Sequence, residues 1–286
     1  MIKHYYSLAK PGLVYGNLIS TIGGFLLASH GQIDFRLLFA TIIGISLVMA
    51  SGCVLNCYID RDIDAIMKRT QNRVLVKNLV SQRGALIYAI TLLIIGIIAL
   101  LFTNLLTLII AMVGFIVYVF LYTIWLKRTS IHSTMVGSVA GSVPVLVGYC
   151  AVTNQFNLCA IFLFLILAVW QMPHSYALYI GCLDDYTKAS ISALPVKKGI
   201  YWTKVNIILY VISFFFAMLM LYIFHYTGAV YLIIMTLLSA FWIILAYMGF
   251  HAKNNRNWAR KLFFYSILVI LTFSVLISFD WLTPKF

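Results

Sequence analysis

Residues 85–102 read ALIYAITLLIIGIIALLF, and residues 105–125 read LLTLIIAMVGFIVYVFLYTIW. Neither run holds a charged side chain. A helix rises about 1.5 Å per residue and the hydrocarbon core of a bilayer is about 30 Å thick, so roughly twenty apolar residues cross it. Both runs are continuous and do not alternate, which excludes a transmembrane β-barrel. Seven more runs of this kind lie at 13–30, 37–59, 134–152, 157–180, 206–224, 229–249 and 262–282. The expected fold is all-α, a polytopic membrane protein with nine transmembrane helices.

Composition agrees. Of 286 residues, 63% are hydrophobic and 9% charged, whereas a soluble domain carries about a quarter charged residues. Mean hydropathy is +1.01. The net charge of +13 suggests a nucleic-acid partner until the basic residues are placed. Eighteen of the twenty fall in the N-terminal stretch and in every second loop, and only Arg36 and Lys285 fall on the other side. The positive-inside rule then puts the N-terminus in the cytoplasm and the C-terminus outside. Lys3 and Lys10 ahead of the first run mimic a signal peptide, but eight further spans favour an uncleaved first helix. Cys53, Cys57, Cys150, Cys159 and Cys182 form no CxxC pair, so zinc-ribbon and thioredoxin-like chemistry have no basis. With no linker or second soluble region in the pattern, residues 1–286 are expected to form a single transmembrane domain.

The seven acids are more informative: there is no Glu, and five of the seven Asp sit in two clusters at 60–64 and 184–185. Both clusters lie at the cytoplasmic ends of long spans, where a carboxylate faces a cavity, a partner charge or a metal. Asn56, Asp60 and Asp64 are spaced i, i+4, i+8, so on a helix they share one stripe. Two carboxylates and an amide make a hard-oxygen site suited to Mg²⁺, whose shell is completed by water and substrate phosphate oxygens. Lys68, Arg69 and Arg73 follow and are placed to neutralise remaining phosphate charge. The alternative is a charged helix end, with Asp60 and Asp64 paired to Arg61 and Lys68. Asp62 points away from the stripe and is expected to bridge to a loop Arg or Lys.

The second cluster follows Trp170-Gln171-Met172-Pro173-His174-Ser175-Tyr176. Pro173 removes a backbone hydrogen bond and should kink the span. His174 is ionisable within the membrane, which marks it for function. It is suited to donate to a carboxylate, ligate a metal or shuttle a proton; the alternative is one interhelical hydrogen bond. Asp184 and Asp185 point about 100° apart on a helix, so one at most joins a metal site directly. Lys127 and Arg128 end the fourth span, where they either hold phosphate or anchor the membrane edge beside Trp125. Gly137-x-x-x-Gly141 is a close-packing face. Cys53 and Cys57 are read as small packing residues, and His132 as a solvated loop histidine.

Together these stretches resemble the intramembrane prenyltransferases of the UbiA superfamily. The resemblance rests on Lys10-Pro11-Gly12 with Gly16-Asn17-Leu18-Ile19-Ser20, on Ala50-Ser51-Gly52-Cys53 through Asp64, and on Arg69-Thr70-x-Asn72-Arg73-Val74-Leu75-Val76. It continues through 118–128, Leu194-Pro195-Val196 with Lys198-Gly199, and Trp258-Ala259-Arg260-Lys261-Leu262. Asn56-x-x-x-Asp60-x-x-x-Asp64 is similar to the superfamily's first aspartate motif. Trp170 to Tyr176 is narrower and resembles the haem-farnesylating branch. The resemblance implies nine helices around a central cavity open to the cytoplasm, in a bacterial-type inner membrane. It implies farnesyl diphosphate and haem B as substrates, and haem O plus diphosphate as products. Asn56, Asp60 and Asp64 would carry Mg²⁺ and the diphosphate, with Arg69, Arg73, Lys127 and Arg128 at the basic positions. His174 falls where other branches begin a second aspartate motif, and Asp185 near that motif's end. The branch reads Arg-x-Lys-Asp-Tyr at this point, whereas this chain reads Cys182-Leu183-Asp184-Asp185-Tyr186. Ile131-His132-Ser133 likewise replaces a more polar run. The implied partners are the bilayer and later haem-modifying or oxidase-assembly proteins, not nucleic acid. Two other functions are compatible with intramembrane acids: prenylation of a quinone precursor, and cation-coupled transport.

Overall fold

The computed structural model describes residues 1–280; positions 281–286, including the end of the last apolar run and Lys285, lie outside the described residues. Among the described residues, nine helices are long and apolar enough to cross a membrane. They are Pro11–Ser29, Phe35–Ile59, Gln82–Leu101, Leu105–Thr129, Ser133–Thr153, Leu158–Gly181, Leu194–Ile223, Ala229–His251 and Asn255–Phe279. We refer to them as the first to ninth spans. Short helices Ile2–Leu8, Arg61–Ile66 and Leu183–Lys188 lie outside them.

Local chemistry sets many of the boundaries. Asp34, Ser81, Asn104, Asn157 and Asn254 each cap a span by accepting a backbone N–H of its first turn. Asn104 resolves the nearly continuous third and fourth runs: its Oδ1 caps Thr107, and its Nδ2 donates to the Cys150 and Ala151 carbonyls. Lys10 adopts a left-handed φ of 49° before Pro11, which turns the chain into the first span.

Two spans begin about two turns or more before their apolar runs. The seventh starts at Leu194, not 206, with Pro195 in its first turn and a break at Gly199, whose φ is 84°. The ninth starts at Asn255, not 262. Hydropathy misses these turns because they carry Lys and Arg, two of which lie over aromatic rings. Lys204 sits 5.4 Å from the Trp258 ring, and Arg260 5.8 Å from Phe264. The sixth span, expected to kink at Pro173, stays helical from Leu158 to Gly181 with Pro173 buried inside it.

Each span packs against its neighbours in sequence, and the ninth returns to the first, closing a ring. Ser20 Oγ and Ser274 Oγ, 3.2 Å apart, join that seam. The first span also crosses to the fifth, backbone against backbone. A Cβ on Gly148 would lie 1.9 Å from the Thr21 carbonyl oxygen, and one on Gly24 2.3 Å from that of Val145. Only glycine permits this approach, as at small-residue contacts of other membrane helices. Overpacking of this kind costs about 1–3 kcal/mol. Gly148→Ala should therefore lower the thermal unfolding midpoint in detergent, while Gly181→Ala, which meets nothing within 4 Å, should leave it unchanged.

Candidate active site

The second span ends at Ile59, and Asp60 joins it to the short helix Arg61–Ile66. The helical hydrogen bonds continue across that joint: Asp60 N–H donates to Asn56 O at 2.9 Å and Asp64 N–H to Asp60 O at 2.8 Å. The stripe of Asn56, Asp60 and Asp64 therefore survives, and all three are buried.

Their partners come from other elements. Asn56 Nδ2 donates to Asp60 Oδ2 at 2.8 Å and to Thr123 Oγ1 at 3.2 Å. Lys10 Nζ donates to Asn56 Oδ1, and Lys127 Nζ to Asp60 Oδ2. Arg73 reaches Asp64 Oδ2 at 2.5 Å. Arg61 instead donates to its neighbour Tyr58 O and lies over the Tyr58 ring, and Lys68 is exposed, so the simple helix-end pairing does not occur. In contrast, Asp60 Oδ1 and Asp64 Oδ1 are both buried and have no hydrogen-bond partner. Buried carboxylate oxygens are costly unless paired, so these two atoms are where a cation or a substrate donor fits.

Lys127 arrives beside Asp60 through an unusual stretch. The fourth span is π-helical over Val117–Leu126, and Thr123 Oγ1 donates to Tyr118 O at 2.8 Å. Wide turns of this kind concentrate at functional sites. Tyr118 and Tyr122 project from the same stretch and stack at 5.9 Å. Tyr118 lies against Gly52 and Tyr122 against Gly137, whose missing side chains make room for the rings.

The remaining predicted residues are placed differently. Arg128 makes two 2.7 Å hydrogen bonds to Asp62 and a third to Ile59 O, so it braces the outside of the mouth. Asp62 thus has the loop-side partner expected of it, supplied by the end of the fourth span. Asp184 is exposed. Asp185 accepts the backbone N–H groups of Lys68 at 3.2 Å and Arg69 at 3.1 Å, and Arg69 reaches the Tyr186 hydroxyl at 3.5 Å. Asp185 therefore ties the loop that carries Arg69 and Arg73 to the far side of the mouth. The helix ends at Cys182, so Asp185 and His174 do not share a helical face. Lys10, Thr123 and Ser266, which is bonded to His174, are not assigned to the site by the sequence; each meets its partner through tertiary packing alone.

Inward from the acids lies a cavity of about 500 Å³. Cys53 and Tyr118 line it on the side of the acidic stripe; Gln171, His174 and Phe263 line it opposite. Gly12, Leu13 and Gly16 also line it and are exposed, so it reaches the outer face of the first span. Its walls are mainly apolar, as ligand cavities are.

Residues 17–268 match the model of the UbiA prenyltransferase family. A protoheme IX farnesyltransferase of Photorhabdus laumondii is 51% identical over 100% of this chain and 97% of its own. The protein of the same name from Yersinia enterocolitica is 50% identical, with the same coverage. The chain belongs to the UbiA prenyltransferase family. Solved structures agree on the fold. One, described as digeranylgeranylglyceryl phosphate synthase, superposes with a TM-score of 0.77 at 22% identity, covering 98% of each chain. A UbiA homologue from Archaeoglobus fulgidus, bound to DMAPP and Mg²⁺, has a TM-score of 0.72 at 14% identity, covering 96% of this chain and 98% of its own.

The brace outside this UbiA-type mouth has its own pH signature. Hydrogen bonds from Arg128 hold the Asp62 carboxyl down to about 2, below its ordinary 3.8. Asp62 stays charged in the folded state where it would already be protonated when unfolded. Its stabilising contribution is therefore complete above about pH 4 and lost as pH falls toward 2. The pair is solvent-exposed, so the contribution is under about 1 kcal/mol. Asp62→Asn should lower the unfolding midpoint slightly at pH 7, and the difference from the parent should vanish near pH 2.

Proposed function

We propose that this chain transfers a farnesyl group from farnesyl diphosphate to a vinyl group of haem B, with addition of water, giving haem O and diphosphate. Family membership supports prenyl transfer over ion-coupled transport. The half-identical relatives named protoheme IX farnesyltransferase support haem over a quinone precursor. The observation that carries the site assignment is the pair of buried, unpartnered oxygens, Asp60 Oδ1 and Asp64 Oδ1.

Those oxygens fit a hard divalent cation. Mg²⁺ takes one or two carboxylates and fills its remaining positions with water and phosphate oxygens. Among the described residues no three His, Cys, Asp or Glu are grouped so as to hold a metal ion by themselves, so its other ligands would have to come from water and substrate. Asp60 and Asp64 would hold it; Asn56 orients Asp60 through Nδ2, and its Oδ1, which accepts from Lys10, would join the ion only by giving up that hydrogen bond. Charge agrees: Lys10, Lys127 and Arg73 against two carboxylates leave one net positive charge. A divalent cation with a fully ionised prenyl diphosphate brings the whole to neutrality. Bound Mg²⁺ supplies electrostatic activation of the leaving group.

The chain's own residues do the rest. Lys10, Lys127 and Arg73, with Arg69 at the rim, take up the negative charge as the C1–O bond of farnesyl diphosphate breaks and its electron pair leaves with diphosphate. The stacked faces of Tyr118 and Tyr122 stabilise positive charge at C1 through their π-systems. The haem vinyl group attacks C1; water captures the resulting carbocation and loses a proton, leaving the hydroxyl. Arg128 and Asp185 serve at one remove, bracing the mouth and the loop of Arg69. We assign these roles to one transmembrane prenyltransferase domain, 1–286. Its mouth faces the cytoplasm of a bacterial-type inner membrane, with the N-terminus inside and the C-terminus outside, from the distribution of Lys and Arg. Haem O released there would pass to later haem-modifying or oxidase-assembly proteins.

Loss of one preorganised electrostatic contact costs about 3 kcal/mol of barrier, on the order of 100-fold in rate. Haem extraction and mass analysis of cells expressing the chain should show haem B gaining one farnesyl group and one hydroxyl group. Asp60→Ala and Asp64→Ala should each reduce that product by at least about 100-fold while the protein still inserts in the membrane. Undiminished haem O from either variant contradicts the site, and a prenylated quinone in place of haem O contradicts the acceptor.

A further inference from the structure

His174 is held more tightly than one hydrogen bond requires. Its ring lies between Trp170, 4.8 Å away at 21°, and Phe263, 4.4 Å away at 28°. Its Nδ1 is 2.7 Å from Ser266 Oγ. That hydroxyl donates its only proton to Phe263 O at 2.6 Å. Toward His174 it is therefore an acceptor, and Nδ1 carries the hydrogen. Trp170 Nε1 donates to Ser266 O at 2.8 Å, which locks the sixth and ninth spans around the ring. With Nδ1 protonated, a neutral ring keeps its lone pair on Nε2, and His174 lines the cavity.

A neutral imidazole oriented through Nδ1, with Nε2 unprotonated, is the form in which histidine ligates metals. The acceptor proposed above brings the one metal that belongs in this cavity, the iron of protohaem. The depth also fits. His174 lies seven residues before Gly181, where its span ends, or about 10 Å inward at 1.5 Å per residue. Gly52 and Cys53, on the cavity's other wall, lie at a similar depth below Asp60. Iron held at that level leaves the porphyrin edge to reach up toward the carbon that leaves diphosphate. We propose that His174 Nε2 is the axial ligand of the acceptor haem, and that Ser266 is the positioning residue that fixes its tautomer. This rests on the haem reading above.

The test uses the full-length protein in nanodiscs, titrated with ferric protohaem and, in parallel, with iron-free protoporphyrin. Wild type should show a histidine-ligated haem by absorption and electron paramagnetic resonance. His174→Ala should lose that signature, regain it with added imidazole, and bind iron-free porphyrin as wild type does, which also controls for folding. Ser266→Ala should weaken haem affinity about 10–100-fold with little effect on the iron-free porphyrin, and Ser266→Thr should restore it. An unchanged iron spectrum in His174→Ala overturns the proposal. So does an equal loss of both porphyrins, which would mean a packing contact only. If wild type makes haem O but its spectrum does not depend on His174, the ligand assignment alone fails. If wild type neither binds haem nor farnesylates it, the functional reading fails and this proposal with it.

Discussion

Two carboxylates stand at the edge of a hydrocarbon layer, each with one oxygen satisfied by a cation and one with no protein partner. That imbalance is the constraint on which the arrangement depends. A charged group withdrawn from water is tolerated only when paired, and a half-paired one stores an unmet demand for positive charge. The sequence supplies three cations around the pair: Lys10 from the start of the first span, Lys127 from the end of the fourth, and Arg73 from the loop after the second. Lys127 and Arg73 hold the Oδ2 atoms of Asp60 and Asp64, Lys10 holds Asn56 Oδ1, and the two aspartate Oδ1 atoms are left open.

The scaffold explains why this demand persists. The ring of spans closes through Ser20 and Ser274, and the Gly24–Gly148 crossing draws the first span inward. The first span thus brings Lys10 to Asn56, and the π-helical turns bring Lys127 to Asp60. Asp185 fixes the loop of Arg69 through two backbone hydrogen bonds. On the function proposed here the mouth is preorganised for an anionic leaving group, and the mainly apolar cavity directly inward would take the prenyl chain and a flat acceptor.

Spans of uninterrupted apolar residues are readable from hydropathy because nothing but a helix satisfies its own backbone in lipid. The Asn56, Asp60 and Asp64 stripe is readable because helical spacing continues through the joint at Asp60. The choice of counter-ion is not. Arg61 and Lys68 are nearest in sequence, yet Lys127 and Arg73 make the pairs, because loop packing rather than spacing decides which cation arrives. Arg128 sits beside Lys127 in sequence but turns outward to Asp62. Asp185 looks like a second ligand from its position, whereas its oxygens are occupied by backbone N–H groups across the mouth. The polar first turns of the seventh and ninth spans escape hydropathy because basic side chains mask helices that aromatic contacts hold in place. Ser266 is invisible beforehand: its meaning comes from a ring on a span ninety-two residues away.

The central claim is that the free oxygens of Asp60 and Asp64 hold a divalent cation and, through it, a diphosphate. Calorimetry with a non-reactive thiolo analogue of farnesyl diphosphate tests it without any chemical step. Binding should need Mg²⁺, disappear with a chelator, and weaken sharply in Asp64→Asn. Equal affinity with and without Mg²⁺, in the parent and the variant alike, would contradict the account.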